Sequence, residues 1–208
     1  MNILVVFAHP GKNSFNHAIA GTSIEKLKEN GHEIIFHDLY KEQFDPLIQS
    51  EELLKNGRIN KIILKQSFEL ANCDGIIVIH PNWWGQPPAI MKGWIDRVFR
   101  PGVAYKFQEG DSGEGTPIGL LKAKCAIVFN TSNTKEDREK QVFHDPLETI
   151  WKNCIFELCG VKVFYRKMFS MVVTSNMEQR KAWLNEVSEI TDKYFPKMNS
   201  GRSVDRKN

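Results

Sequence analysis

The chain has 208 residues, 41% of them apolar and 25% charged, with a formal net charge of +3. This suits one globular domain with a sizeable core, and the charge is too small to argue for a nucleic-acid partner. No run approaches the roughly 18 apolar residues of a membrane span. The apolar start Met1–Ala8 has no basic leader and stops at His9-Pro10, so it does not read as a signal peptide, and a cytoplasmic location is expected. Cys73, Cys125, Cys154 and Cys159 form no CxxC pair and have no histidine cluster beside them. They are expected to be buried, reduced thiols, with no metal site.

Strand and helix patterns alternate along the chain. Ile3–Ala8 is a continuous apolar run, the signature of a strand buried on both faces. After the turn Pro10-Gly11-Lys12-Asn13, Ser14 opens a helix with Phe15, Ala18, Ile19, Thr22 and Leu27 roughly on one face, closed by Asn30-Gly31. Glu33–Leu39 reads as a second strand. The stretch 40–60 is irregular, and Ile62–Leu70 is helical. Gly75–Ile79 is a third strand, followed by a loop rich in Pro and Trp, His80–Pro87. Pro88 suits the first turn of a helix that runs to Phe99. A glycine-rich excursion, Gly102–Gly119, precedes a fourth strand, Ala123–Asn130. A polar loop, Thr131–Lys140, leads to a helix over Pro146–Leu158 that Gly160 ends. Val161–Tyr165 is a fifth strand and Met177–Tyr194 a final amphipathic helix.

Five strands alternating with helices imply a parallel sheet with helices on both faces and right-handed crossovers. Residues 1–195 form one domain on this reading, and 196–208 a loose polar tail. Ligands of such sheets bind beyond the carboxyl ends of the strands, where the winding reverses. The informative residues therefore follow strands one, three and four.

Three segments stand there. In the first, His9 to Asn16, a helix N-terminus offers free N–H groups to a phosphate, and Ser14 and Asn16 add donors. The plainer alternative makes Ser14 only an N-cap and His9 a solvated turn residue. In the second, Pro81-Asn82-Trp83-Trp84-Gly85, two flat rings and exposed amides suit a heteroaromatic ring; either Trp alone reads better as a core or loop-capping residue, and it is the pair at a strand end that favours the ring. The third, Thr131-Ser132-Asn133, supplies small polar groups of the kind that fill most turns.

Together these residues resemble the flavodoxin-like NAD(P)H:quinone oxidoreductases, a family that includes drug-resistance modulators and regulatory subunits of potassium-efflux systems. The resemblance rests on Ala8-His9-Pro10 with Ser14-Phe15-Asn16, on Pro81-Asn82-Trp83-Trp84, and above all on Pro88–Phe99. Ala104–Phe107 and Leu158-Cys159-Gly160 extend it over most of residues 1–195. It implies a flavodoxin-like, doubly wound five-stranded parallel sheet. It also implies two-electron, ping-pong hydride transfer from NAD(P)H through a bound flavin to quinones. His9, Ser14, Phe15 and Asn16 would hold the flavin phosphates, Pro81 to Gly85 would line the ring, and Thr131, Ser132 and Asn133 would hydrogen-bond to it. FAD is favoured, with FMN the alternative. Tyr105 and Phe107 resemble aromatics that reach a partner subunit's substrate pocket, so a homodimer is implied. Trp94, Ile95, Val98 and Phe99 beside Gly93 are the expected interface. Many relatives carry Thr-Thr-Gly-Gly after strand four, then a Tyr and a His near the flavin's pyrimidine edge. This chain has Asn130–Thr134 instead, and His144 is the histidine at a comparable place, making it the candidate catalytic residue. The alternative reading is a flavin-bearing regulatory subunit of a membrane transporter, the one case that would bring membrane association.

Overall fold

The computed structural model describes residues 1–54, 56–108, 110–111 and 114–197. Its centre is a five-stranded parallel sheet in the order β2-β1-β3-β6-β7, from β1 (Asn2–Phe7), β2 (Glu33–Asp38), β3 (Gly75–Pro81), β6 (Cys125–Thr131) and β7 (Val163–Phe169). The chain winds one way from β1 to β2 and the other way from β3 onward, so the reversal falls between β1 and β3.

The continuous apolar runs are explained by which face each residue serves. Along β1, Leu4 and Val6 enter one core, while Ile3, Val5 and Phe7 enter the other. The same split holds for Ile76 and Val78 against Ile77 and Ile79 in β3, and for Ala126 and Val128 against Ile127 and Phe129 in β6. Both faces are therefore dry, and alternation of polar with apolar residues would have been wrong for these strands. Helices α1 (Phe15–Glu29) and α6 (Met177–Tyr194) cover one face; α2 (Lys61–Asn72), α3 (Ala89–Val98) and α5 (Pro146–Thr149) cover the other. No helix of the described residues is long and apolar enough to cross a membrane.

Several expectations are corrected. The buried side of α1 is Asn16, Ile19, Ala20, Ser23 and Leu27, not the side bearing Ala18 and Thr22. The glycine-rich excursion holds a small antiparallel pair, β4 (Tyr105–Lys106) with β5 (Ile118–Gly119). The polar loop after β6 contains a short helix, α4 (Glu136–Gln141), hidden because all but one of its residues are charged. The helix from Pro146 continues as a π-helix over Ile150–Glu157, whose buried residues Trp151, Ile155 and Phe156 follow a wider turn than an α-helix would give. The fifth strand starts later and runs further, to Phe169. Cys154 is exposed, while the other three thiols are buried. The expected loose tail lies, from residue 198 onward, outside the described residues.

The largest correction concerns α3. Trp94, Ile95, Val98 and Phe99 are all buried in the chain's own core. Gly93 is required by the loop after β2, because a Cβ there would stand 2.3 Å from Pro46. The buried guanidinium of Arg97 fastens the same loop, donating to Glu52 Oε2 at 3.1 Å and to the Asp45 carbonyl at 2.5 Å. Neither the apolar surface nor the close-approach glycine is left over for a partner.

Candidate functional site

The carboxyl ends of β1, β3 and β6 open into a cleft with two adjoining chambers. The inner one, about 340 Å³, is lined by His9, Ser14, Phe15, Asn16, Pro81, Asn82, Trp83 and Thr131 to Thr134. The outer one, about 470 Å³, is lined by Asn82, Trp84, Gly85, Thr134, Glu139, Phe143 and Pro146. Asn82 and Thr134 belong to both. Every residue expected to hold the flavin lines one chamber or the other.

The inner chamber ends at the N-terminus of α1. Ser14 caps it, accepting from the His17 N–H at 3.3 Å. Next to it, Asn16 is 2% exposed and donates from Nδ2 to Thr131 Oγ1 at 2.7 Å. Its Oδ1 is buried and has no partner among the described residues, and the residue lines the inner chamber. Partial burial holds His9 below its ordinary pKa, with the nearby His17 adding to the effect and the Gly11 backbone opposing it. The neutral ring accepts the Gly11 N–H on Nδ1 at 3.0 Å, which leaves Nε2 as its donor. Phe15 does double duty, since its ring also packs on Phe169 and Trp183.

The loop after β3 is a tight hairpin. Trp83 and Gln86 exchange both backbone hydrogen bonds at 3.0 Å, and the two residues between them, Trp84 (φ +59°) and Gly85 (φ +71°), are both left-handed. That is the type I′ geometry a two-residue hairpin prefers. It lifts Trp84 fully into solvent at the mouth of the outer chamber and leaves Trp83 half-exposed beside His9, ring centroids 6.4 Å apart. Neither tryptophan is core. Asn82 ties the hairpin down: its Oδ1 accepts the Gly85 N–H at 2.9 Å, and its Nδ2 donates to Glu139 Oε1 at 2.5 Å. A Cβ on Gly85 would stand 2.8 Å from Pro146 Cγ, so the two walls of the outer chamber touch there.

The far wall is held from behind by a buried polar chain. Arg166 on β7 donates to Asp145 Oδ2, to Glu148 Oε2 at 2.9 Å and to Asn130 Oδ1 at 3.2 Å. The Asn130 amide in turn meets His80 Nε2 at 3.0 Å, which also accepts the Trp151 indole N–H at 2.9 Å. His80 Nδ1 donates to the Pro81 carbonyl at 2.8 Å. Complete burial pushes its pKa down to about 4, with the Arg166 charge contributing and the Pro81 carbonyl opposing, so His80 is a neutral spacer.

His144 is placed differently from its expected role. It is exposed, left-handed (φ +58°) and outside the residues that line the cleft, where Phe143 and Pro146 form the wall on either side of it. The titratable group inside the chamber is Glu139, 1% exposed, which the sequence reading passed over. Tyr105 and Phe107 pack edge to face, centroids 5.9 Å apart, and line neither chamber of their own chain.

Residues 1–191 match the family described by its flavodoxin-like fold, and the chain belongs to that family. It is 34% identical over 195 residues to a Haemophilus influenzae protein described as an uncharacterized NAD(P)H oxidoreductase, a match covering 92% of this chain and 94% of that one. In structure it is similar to an NAD(P)H:quinone oxidoreductase from Methanothermobacter marburgensis (TM-score 0.81, 24% identity, 93% and 96% of the two chains). It is also similar to an FMN-dependent NADH-azoreductase from Bacillus anthracis in complex with FMN (TM-score 0.73, 16% identity, 93% and 98%).

Proposed function

We propose that this protein is a flavin-dependent NAD(P)H:quinone oxidoreductase. The observation that carries the reading is the cleft itself. A capped helix N-terminus with a buried, unpartnered amide oxygen stands at one end, and a flat-walled aromatic chamber at the other. A flavin fits this donor set. The free N–H groups of the first turn of α1, the Ser14 hydroxyl and neutral His9 would hold its phosphate end, while Asn16 Oδ1, an acceptor, would take a hydroxyl of the flavin's sugar chain. Pro81 to Trp83 with Thr131 to Asn133 would line its ring. The flavin, when bound, supplies the two-electron relay between nicotinamide and quinone.

The chain's own part is to position and to exclude water. The Asn82 clamp fixes the hairpin, and Phe143 and Pro146 close the opposite side. One outer chamber serves both co-substrates, so they enter in turn and turnover is ping-pong. FAD is the proposed form. A further cavity of about 700 Å³, lined by His9, Pro10, Lys12, Tyr40 and Lys41 among others, shares His9 with the inner chamber and offers room beyond the phosphate.

A homodimer belongs to the same proposal, on a different surface from α3. Leu47, Leu53 and Leu54 on the loop after β2, with Leu64 and Phe68 on α2, are exposed. Tyr105 and Phe107, unused in their own cleft, are the residues offered to a partner's. The test is an absorbance spectrum of the purified protein before and after NADPH. A yellow protein that bleaches and is reoxidised by a quinone is expected. A colourless protein that cannot be reconstituted with FAD or FMN refutes the reading.

A further inference from the structure

Glu139 is a buried carboxyl group that the reaction outlined above does not use. One of its oxygens is engaged by the neutral Asn82 amide, and among the described residues no cation pairs with it. The group also lines the outer chamber, whose other side chains, Trp84, Phe143, Pro146, Asn82 and Thr134, carry no charge. The cations around it are turned elsewhere. Lys140 pairs with Glu136, Lys135 is exposed, and Arg138 lies over the outer Phe143 ring, 5.2 Å from its centroid. Exposed charges are screened by solvent and salt, whereas a buried one acts at nearly full strength on whatever enters. A carboxylate is also acceptor-only, so it rewards a ligand that presents an N–H or O–H.

We propose that the outer chamber is a selectivity site. Its Glu139 carboxylate accepts an N–H or O–H from the edge of a neutral planar aromatic ligand and rejects anionic rings of the same shape. This rests on the outer chamber's being where ring co-substrates bind. Nicotinamide carboxamides and neutral quinone/hydroquinone pairs meet the requirement; sulfonated or carboxylated aromatic acceptors do not.

The experiment compares two redox-inert probes of one ring size, 2-naphthamide and naphthalene-2-sulfonate, by titration calorimetry on the protein as purified. The amide is expected to bind at least about tenfold more tightly, since like unit charges several ångströms apart repel well beyond thermal energy. Glu139→Gln keeps an acceptor for Asn82 and should reduce that ratio to about threefold or less. Arg138→Gln, which removes the nearby exposed cation, should leave it within about twofold of the native protein. Equal binding of the two probes by the native protein overturns the proposal even if the Gln variant does not fold, and so does an unchanged ratio in a folded Glu139→Gln. Turnover of a neutral quinone with NADPH is scored separately. The expected binding ratio without any turnover counts against the oxidoreductase reading alone, and turnover with no selectivity counts against Glu139 alone.

Discussion

Replacing Arg166 with Met should be among the costliest single changes in the protein. The guanidinium is almost fully buried and serves Asp145, Glu148 and Asn130 at once. Met preserves the packing of the stem and removes the charge. Glu148 is largely solvated, and losing its pair costs about 0–1 kcal/mol. Asp145 is different. It is mostly buried, its Oδ1 already lacks a partner, and its backbone is left-handed at φ +46°. Stranding that carboxylate costs about 3–5 kcal/mol, a large share of the roughly 5–15 kcal/mol that holds a domain together. At about 2–4 °C per kcal/mol for a chain of this size, the melting temperature should fall by roughly 6–20 °C. Adding Asp145→Asn should recover part of the loss, giving a coupling of about 1–3 kcal/mol in a double-mutant cycle read by denaturant titration. A melting temperature within about 2 °C of the native protein, or a coupling near zero, would refute this role of the Arg166–Asp145 pair.

His144→Gly should stabilise the protein by about 1 kcal/mol in thermal melts, because it relieves a left-handed non-glycine, and should leave the rate of flavin reduction intact. A clear drop in that rate by stopped flow would return His144 to the catalytic role expected from the sequence. Asn16→Ala should weaken retention of the flavin about tenfold in equilibrium dialysis, through loss of one hydrogen-bonding side chain worth about 1–1.5 kcal/mol; unchanged retention would leave the buried amide a purely structural feature. His80 is neutral when folded and has an ordinary pKa when unfolded, so the unfolded chain takes up the proton first on acidification. Its contribution is fully present above pH 6.5 and drains away as pH falls toward about 4. That loss is on the order of 3 kcal/mol, and His80→Gln should flatten this limb of the stability–pH curve.

The sheet was legible because its strands are buried on both faces and written as unbroken apolar runs, and the three strand ends pointed to the cleft for the same topological reason. The loops that line the cleft followed. Four things did not follow. Glu139 sits on a six-residue helix of charged and amide side chains, which has no apolar period to betray which side turns inward. Its burial depends on Asn82, 57 positions away. Arg166 reads as a surface charge in a strand until Asp145 and Glu148 are brought over it. The apolar side of α3 was read as an interface, because sequence alone does not distinguish a helix packing on its own sheet from one packing on a partner. The π-helical turn that delivers Trp151 to His80 leaves no mark in the residue types.

The bond between Asn16 and Thr131 joins residues 115 apart, and the Asn82–Glu139 bond closes the other chamber across more than fifty. No early fragment of the chain contains the cleft. A growing polypeptide must have paired β6 with β3 before the α1 N-terminus has a second wall, and such long-range parallel pairing is slow. Ligand capture is therefore a late event, open only to chains that have finished their sheet. A flavin supplied during refolding should slow unfolding of the completed domain more than it speeds the steps that build it.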